Sequence, residues 1–102
     1  MPDTKDADPP AYDAKPVRLN ISHTASDGTS DRRAFLYTPG TQNWTTFLGR
    51  MRTKFEDARI ARLRYLDKHG VSCIIGDEED LDLAVNGVDE QEMWALKIGE
   101  GL

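Results

Sequence analysis

Asp77, Glu78, Glu79, Asp80 and Asp82 fall within six consecutive positions, and Asp67 stands ten residues before them. Two short runs separate the groups: Lys68-His69-Gly70 and the apolar Val71-Ser72-Cys73-Ile74-Ile75. If the residues flanking Lys68-His69-Gly70 pair as a hairpin, Asp67 and the later carboxylates lie along one edge. Like charges held together repel one another. A fold accepts that strain more readily when a cationic partner relieves it, so the chemistry offered is recognition of a basic surface. Carboxylates at a helix start are also ordinary decoration favoured by the helix dipole. The binding reading therefore depends on what surrounds them.

Other chemistries fare worse. No phosphate-cradling loop, nucleophile elbow or metal-ligand pair is present. Paired carboxylates serve as acid and base only inside a desolvated pocket. His23, His69 and Cys73 lie too far apart for a zinc signature. The acidic run lacks the glycine and terminal Glu spacing of a calcium loop. No metal and no cofactor is expected, and no catalytic residue. Cys73 reads as an inert buried thiol in an apolar strand, and His23 and His69 as surface residues.

The chain has 102 residues and one cysteine, with 38% hydrophobic and 30% charged residues. That composition suits one domain with a modest core. No run of about 18 apolar residues exists, so no helical membrane span is expected. The single cysteine and the absence of a secretory signal point to a reduced, cytoplasmic setting. Net charge is −5 but uneven. Residues 15–66 carry ten Lys or Arg against four acids, whereas residues 67–102 carry two against ten. A fold that separates these halves makes a dipole suited to recognising another protein. Net negative charge argues against nucleic acid as partner.

Residues 1–15 are polar and proline-containing and read as a disordered leader, leaving residues 16–100 as the folded domain. Val17 to His23 alternates as a strand, Asp27-Gly28 is a turn tip, and Arg32 to Tyr37 closes a hairpin. Trp44, Phe47, Leu48, Met51 and Phe55 form one stripe of an amphipathic helix capped by Thr41 or Asn43. Gly49 within it costs about 1 kcal/mol against Ala and points to close packing. Trp44 and Trp94 read as core. Residues 63–67 and 71–75 are short strands, Gly76-Asp77 opens a second helix that Asn86-Gly87 ends, and residues 93–98 are the last strand. The order is ββ-α-ββ-α-β, an α+β mixed sheet of the ubiquitin-like β-grasp roll.

The pattern Tyr65-x-Asp67-x-x-Gly70, a short strand, then Gly76-Asp77-Glu78-Glu79-Asp80-Leu81 and Ala84 resembles the OPCA motif of the PB1 (Phox and Bem) domain. The resemblance spans residues 16–99. It implies a non-enzymatic signalling and scaffold module that pairs front to back. An acidic face, here Asp67, Asp77, Glu78, Glu79 and Asp80 with Asp82 as an addition, meets the basic face of a lysine-bearing (type II) PB1 domain. Lys68, His69 and Val71 stand where the family usually carries more acid, which shifts weight to residues 77–80. The family's first-strand lysine falls at Asn20, which points to the acidic (type I) class. The chain's finish just past the last strand resembles the C-terminal PB1 domain of fungal polarity guanine-nucleotide exchange factors.

Two alternatives stand beside this reading. Arg18, Arg32 and Arg33 could form a secondary basic face, making a two-faced domain that self-associates into homo-oligomers. Otherwise the domain binds through its sheet face or the basic residues Arg50, Arg52, Lys54, Arg59, Arg62 and Arg64, which read most simply as a solvated helix face and loop.

Overall fold

The computed structural model describes residues 15–99; of the leader expected over residues 1–15, all but Lys15 lies outside them. Strand β1 (Val17–Thr24) pairs antiparallel with β2 (Ser30–Tyr37), from Val17 opposite Tyr37 to Thr24 opposite Ser30. Helix α1 (Trp44–Phe55) follows, then β3 (Ile60–Leu66), β4 (Ser72–Ile75), helix α2 (Glu78–Val85) and β5 (Glu90–Lys97). The sheet order is β2-β1-β5-β3-β4, with β1 and β5 parallel at the centre and every other pairing antiparallel. This is the mixed β-grasp sheet expected from the element order.

Alternation along the strands divides the sheet into two faces. Val17, Leu19, Ile21, Phe35, Tyr37, Leu63, Ile75 and Met93 face the helices, where Phe47, Met51, Phe55, Leu81, Ala84 and Val85 close over them. Each large side chain so buried contributes roughly 1.5–3 kcal/mol. Asn43, not Thr41, caps α1, its side chain accepting from the Thr46 amide at 2.8 Å. The chain leaves α1 through Glu56 in the left-handed region, φ 54°.

Four expectations need correction. His23 is buried, 4% exposed. It continues the alternation of Val17, Leu19 and Ile21 onto the core face, where its ring stacks on Phe55 at 4.7 Å. The ring nitrogens meet Asp31 at 3.2 Å and Asp57 at 2.9 Å. Trp94 is outside the core because it alternates with Met93 onto the face no helix covers. There it is half-buried, with the Arg64 guanidinium 4.6 Å from its ring; Trp44 is half-buried against the core. Cys73 is half-buried, not enclosed, since β4 is an edge strand. Gly49 does not mark close packing: a side chain there would meet nothing within 4 Å.

Candidate functional site

The β3–β4 connection places Asp67. Its side-chain Oδ1 accepts from the amides of His69 (2.8 Å) and Val71 (2.9 Å). Its backbone N–H donates to the Val71 carbonyl, and the Gly70 N–H donates to its own carbonyl. Gly70 sits at φ 79°, which a residue with a Cβ adopts only under strain. The amides of Val71 and then His69 hold the Asp67 carboxyl below the usual carboxylate range. The motif's Asp and Gly are thus the residues that build the turn as well as the acid it presents.

Helix α2 begins beside that turn. Asp77 is the N-cap: its Oδ1 accepts from the Asp80 amide at 2.9 Å, and Asp80 Oδ2 accepts from the Gly76 amide at 3.1 Å. These reciprocal bonds satisfy two backbone donors at the helix start that have no partner within the helix. Glu78 and Glu79 are exposed in the same turn.

Tyr65 shows which acids converge. Its phenol is pushed up by burial first, then by Cys73, Asp67 and Asp80. Asp67 from the turn and Asp80 from the helix therefore bear on one point, and the Cys73 thiol lies 4.0 Å from Asp67 Oδ2. Asp82 turns another way. It accepts a hydrogen bond from the Tyr37 hydroxyl, and burial, then Asp82, with a smaller pull from Glu78, push that phenol up. The six acids expected at the site thus divide. Asp67 and Asp80 both bear on Tyr65, Asp77 is joined to Asp80 through the helix cap, Asp82 is bonded to Tyr37 of β2, and Glu78 and Glu79 are exposed in the first turn of α2.

Among the described residues, no Lys or Arg makes an ion pair with any of these six. The ion pairs present join Asp57 to Arg59 and Lys97, and Arg32 to Glu92, and the His23 ring hydrogen-bonds Asp31 and Asp57. His23, then the Arg59 amide, outweigh partial burial and, with Lys97, hold the Asp57 carboxyl far below the usual range. Asp57 and Glu92 are thus paired with cations of the fold, whereas the six acids of this edge, grouped on one turn and one helix, are not.

The expected basic residues do not gather. Arg18 and Arg32 lie on the open sheet face, and Arg33, one position on, lies on the other. Asn20, where the family's lysine falls, is 2% exposed. Its Nδ2 donates to Glu90 and to Glu92 (3.0 Å), and Arg18 Nε donates to its Oδ1 at 3.0 Å. Arg32 donates twice to Glu92. Glu90 and Glu92 were not singled out from sequence; their signal was alternation with Met93 in a strand that starts three residues earlier than expected. The longer basic run also divides. Arg52 donates to the Ile60 carbonyl at 2.8 Å, and Arg50 and Lys54 lie against the Phe35 ring. Arg62 and Arg64 are on the open sheet face.

Among the described residues no group of three His, Cys, Asp or Glu side chains is placed to hold a metal ion. No described helix is long and apolar enough to cross a membrane.

Among solved structures the chain is similar to the solution structure of the PB1 domain of Cdc24p (long form), with a TM-score of 0.56 at 19% identity. The alignment covers 79% of this chain and 96% of that one. No protein-family model and no curated protein matches the sequence. The likeness establishes the fold, a PB1-type β-grasp.

Proposed function

We propose that this chain is a non-enzymatic protein-interaction domain that presents an acidic edge to the basic face of another domain of the same fold. Asp67, Asp77 and Asp80 form its centre, with Glu78, Glu79 and Asp82 around it. The observation that carries the reading is the contrast in charge pairing. The fold pairs Asp57 and Glu92 with its own cations, yet among the described residues no Lys or Arg forms an ion pair with the six acids on the β3–β4 turn and α2. The PB1-type fold supports the same conclusion.

The mechanism is charge-assisted hydrogen bonding, since an ionised acceptor binds lysine or arginine about twice as strongly as a neutral one. Rim pairs give roughly 0–1 kcal/mol each, and partly desolvated central pairs several. The face orients its partner and speeds encounter, and a few central pairs dominate affinity. The partner is a lysine-bearing type II domain of a signalling scaffold, and the setting is the cytoplasm.

The opposite sheet face does not favour self-association. Arg32 is already bound to Glu92, and Glu90 and Glu92 flank Asn20. A partner's acids would meet two carboxylates beside the arginines. Titration calorimetry against lysine-bearing domains tests the proposal. Binding that weakens with salt and is lost when Asp77 and Asp80 are neutralised supports it; equal binding by the neutralised form overturns it.

A further inference from the structure

Scattered exposed apolar side chains are ordinary on a protein surface, but grouped ones mark contact sites. Six large apolar residues are exposed among those described: Leu36, Leu66, Val71, Leu83, Val88 and Ile98. Four of them, Leu66, Val71, Leu83 and Val88, belong to the end of β3, the turn after it, α2 and the loop after α2. Three of those four line one groove of about 430 Å³ between the β3–β4 turn and the C-terminal half of α2. Leu83 is 65% exposed on α2, Leu66 43% at the end of β3, and Val88 36% on the loop. Tyr65 and Ala84 also line the groove, and Asp67, Lys68 and His69 stand at its turn end.

Two features tie this groove to the acidic edge. Tyr65 borders the groove and is the residue on which Asp67 and Asp80 both bear. Glu79 and Leu83, four positions apart on α2, lie on one helical face. Carboxylates and exposed apolar groups thus form one continuous surface.

We infer that this groove is the apolar half of the acidic interface, and that it takes an aliphatic or aromatic side chain projecting beside the basic residues of the same partner. The inference rests on the proposed acidic reading. Charge complementarity selects the occupant: Asp67 lines the groove and the α2 carboxylates adjoin it, and among the described residues no Lys or Arg forms an ion pair with any of them, Lys68 and His69 acting on Asp67 only through weaker, longer-range attraction. The acids then set encounter and orientation, while the groove slows release, as desolvated apolar contacts near a charged rim do.

The test is titration of the full chain with a panel of lysine-bearing domains of this fold. Wild type is compared with Leu83→Ser/Val88→Ser, with Asp77→Asn/Asp80→Asn, and with Leu36→Ser as a control on the open sheet face. Both groove side chains are solvent-facing, and an unchanged circular dichroism spectrum verifies the fold. The groove variant is expected to bind about tenfold more weakly, through faster dissociation and equally at low and high salt. Methyl resonances of Leu66, Leu83 and Val88 are expected to shift on titration, whereas those of Leu36 stay in place. If the groove variant binds as wild type and these methyls do not move, while the Asn variant loses binding, the groove is overturned and the acidic edge stands. If the groove variant weakens binding and the Asn variant does not, the acidic reading and the shared occupant both fall. If no member of the panel binds wild type, both are overturned.

Discussion

Asp77 has two duties, and one pair of substitutions separates them. Its carboxylate caps α2 through the 2.9 Å bond from the Asp80 amide, and it belongs to the proposed binding edge. Asp77→Ala removes both the cap and the charge. Loss of an N-cap side chain costs about 1 kcal/mol, which lowers the melting temperature of a domain of this size by about 4–8 °C. Asp77→Asn keeps an oxygen that can accept from the same amide, and Asn caps about as well as Asp. It forgoes roughly 0.3–1 kcal/mol of charge–dipole interaction. That loss is offset because Glu78, Glu79 and Asp80 no longer face a fourth carboxylate. The net change for Asn is therefore within about 0.5 kcal/mol. Thermal unfolding by circular dichroism should rank wild type and Asn together and Ala below them, whereas both variants should weaken binding alike. The reasoning is refuted if Asn melts as low as Ala, or if Ala melts as high as wild type. Asn binding a lysine-bearing domain as well as wild type would leave Asp77 a cap and nothing more.

Other predictions concern parts of the fold away from this edge. Asp57 has its carboxyl far below the ordinary range, held chiefly by His23. A depressed folded value means that the ionised form stabilises the fold fully above about pH 4, the unfolded value, and that this contribution fades as pH falls below it. Urea unfolding between about pH 5 and about pH 2 should therefore show a shallower acid loss in Asp57→Asn than in wild type; identical slopes would contradict this. Glu56→Gly should stabilise the chain by up to about 1 kcal/mol, because a left-handed residue after a helix costs a side chain but not glycine; an unchanged or lower urea midpoint counts against it. Trp94→Ala removes the Arg64 stack, roughly 0.5–1 kcal/mol at an exposed site, and its half-buried packing, yet should leave partner affinity unchanged. A binding loss there would move the site to the open sheet face.

Much of the fold was legible because its two periods are clean. Val17, Leu19 and Ile21 repeat every second residue, and Phe47, Met51 and Phe55 repeat every helical turn. Where the pattern is interrupted, the boundaries moved. A register shift between Ile60 and Arg62 breaks alternation at the start of β3, so the strand begins three residues before the expected Leu63. Glu90, Gln91 and Glu92 carry no apolar signal, yet the parallel register with β1 makes them strand. His23 was placed on the surface by residue type although its position in the alternation puts it inside. Trp94 was placed inside by residue type although alternation with Met93 puts it on the uncovered face. In the candidate site, the acidic composition and the turn glycine were readable. The division of the acids was not, because the direction in which Asp82 leans depends on where β2 delivers Tyr37, a contact 45 positions away in the chain. The groove was equally hidden, since Leu66, Leu83 and Val88 come from three separate elements and meet only in the folded chain.

The central claim is that the unpaired carboxylates on the β3–β4 turn and α2 are the working surface. Calorimetric titration of the wild type and of Asp77→Asn/Asp80→Asn with lysine-bearing domains of this fold, at low and high salt, tests it most directly. The expected result is wild-type binding that weakens as salt rises, with binding lost in the variant and its melting temperature little changed. Equal affinity in the two proteins at both salt concentrations would contradict the claim.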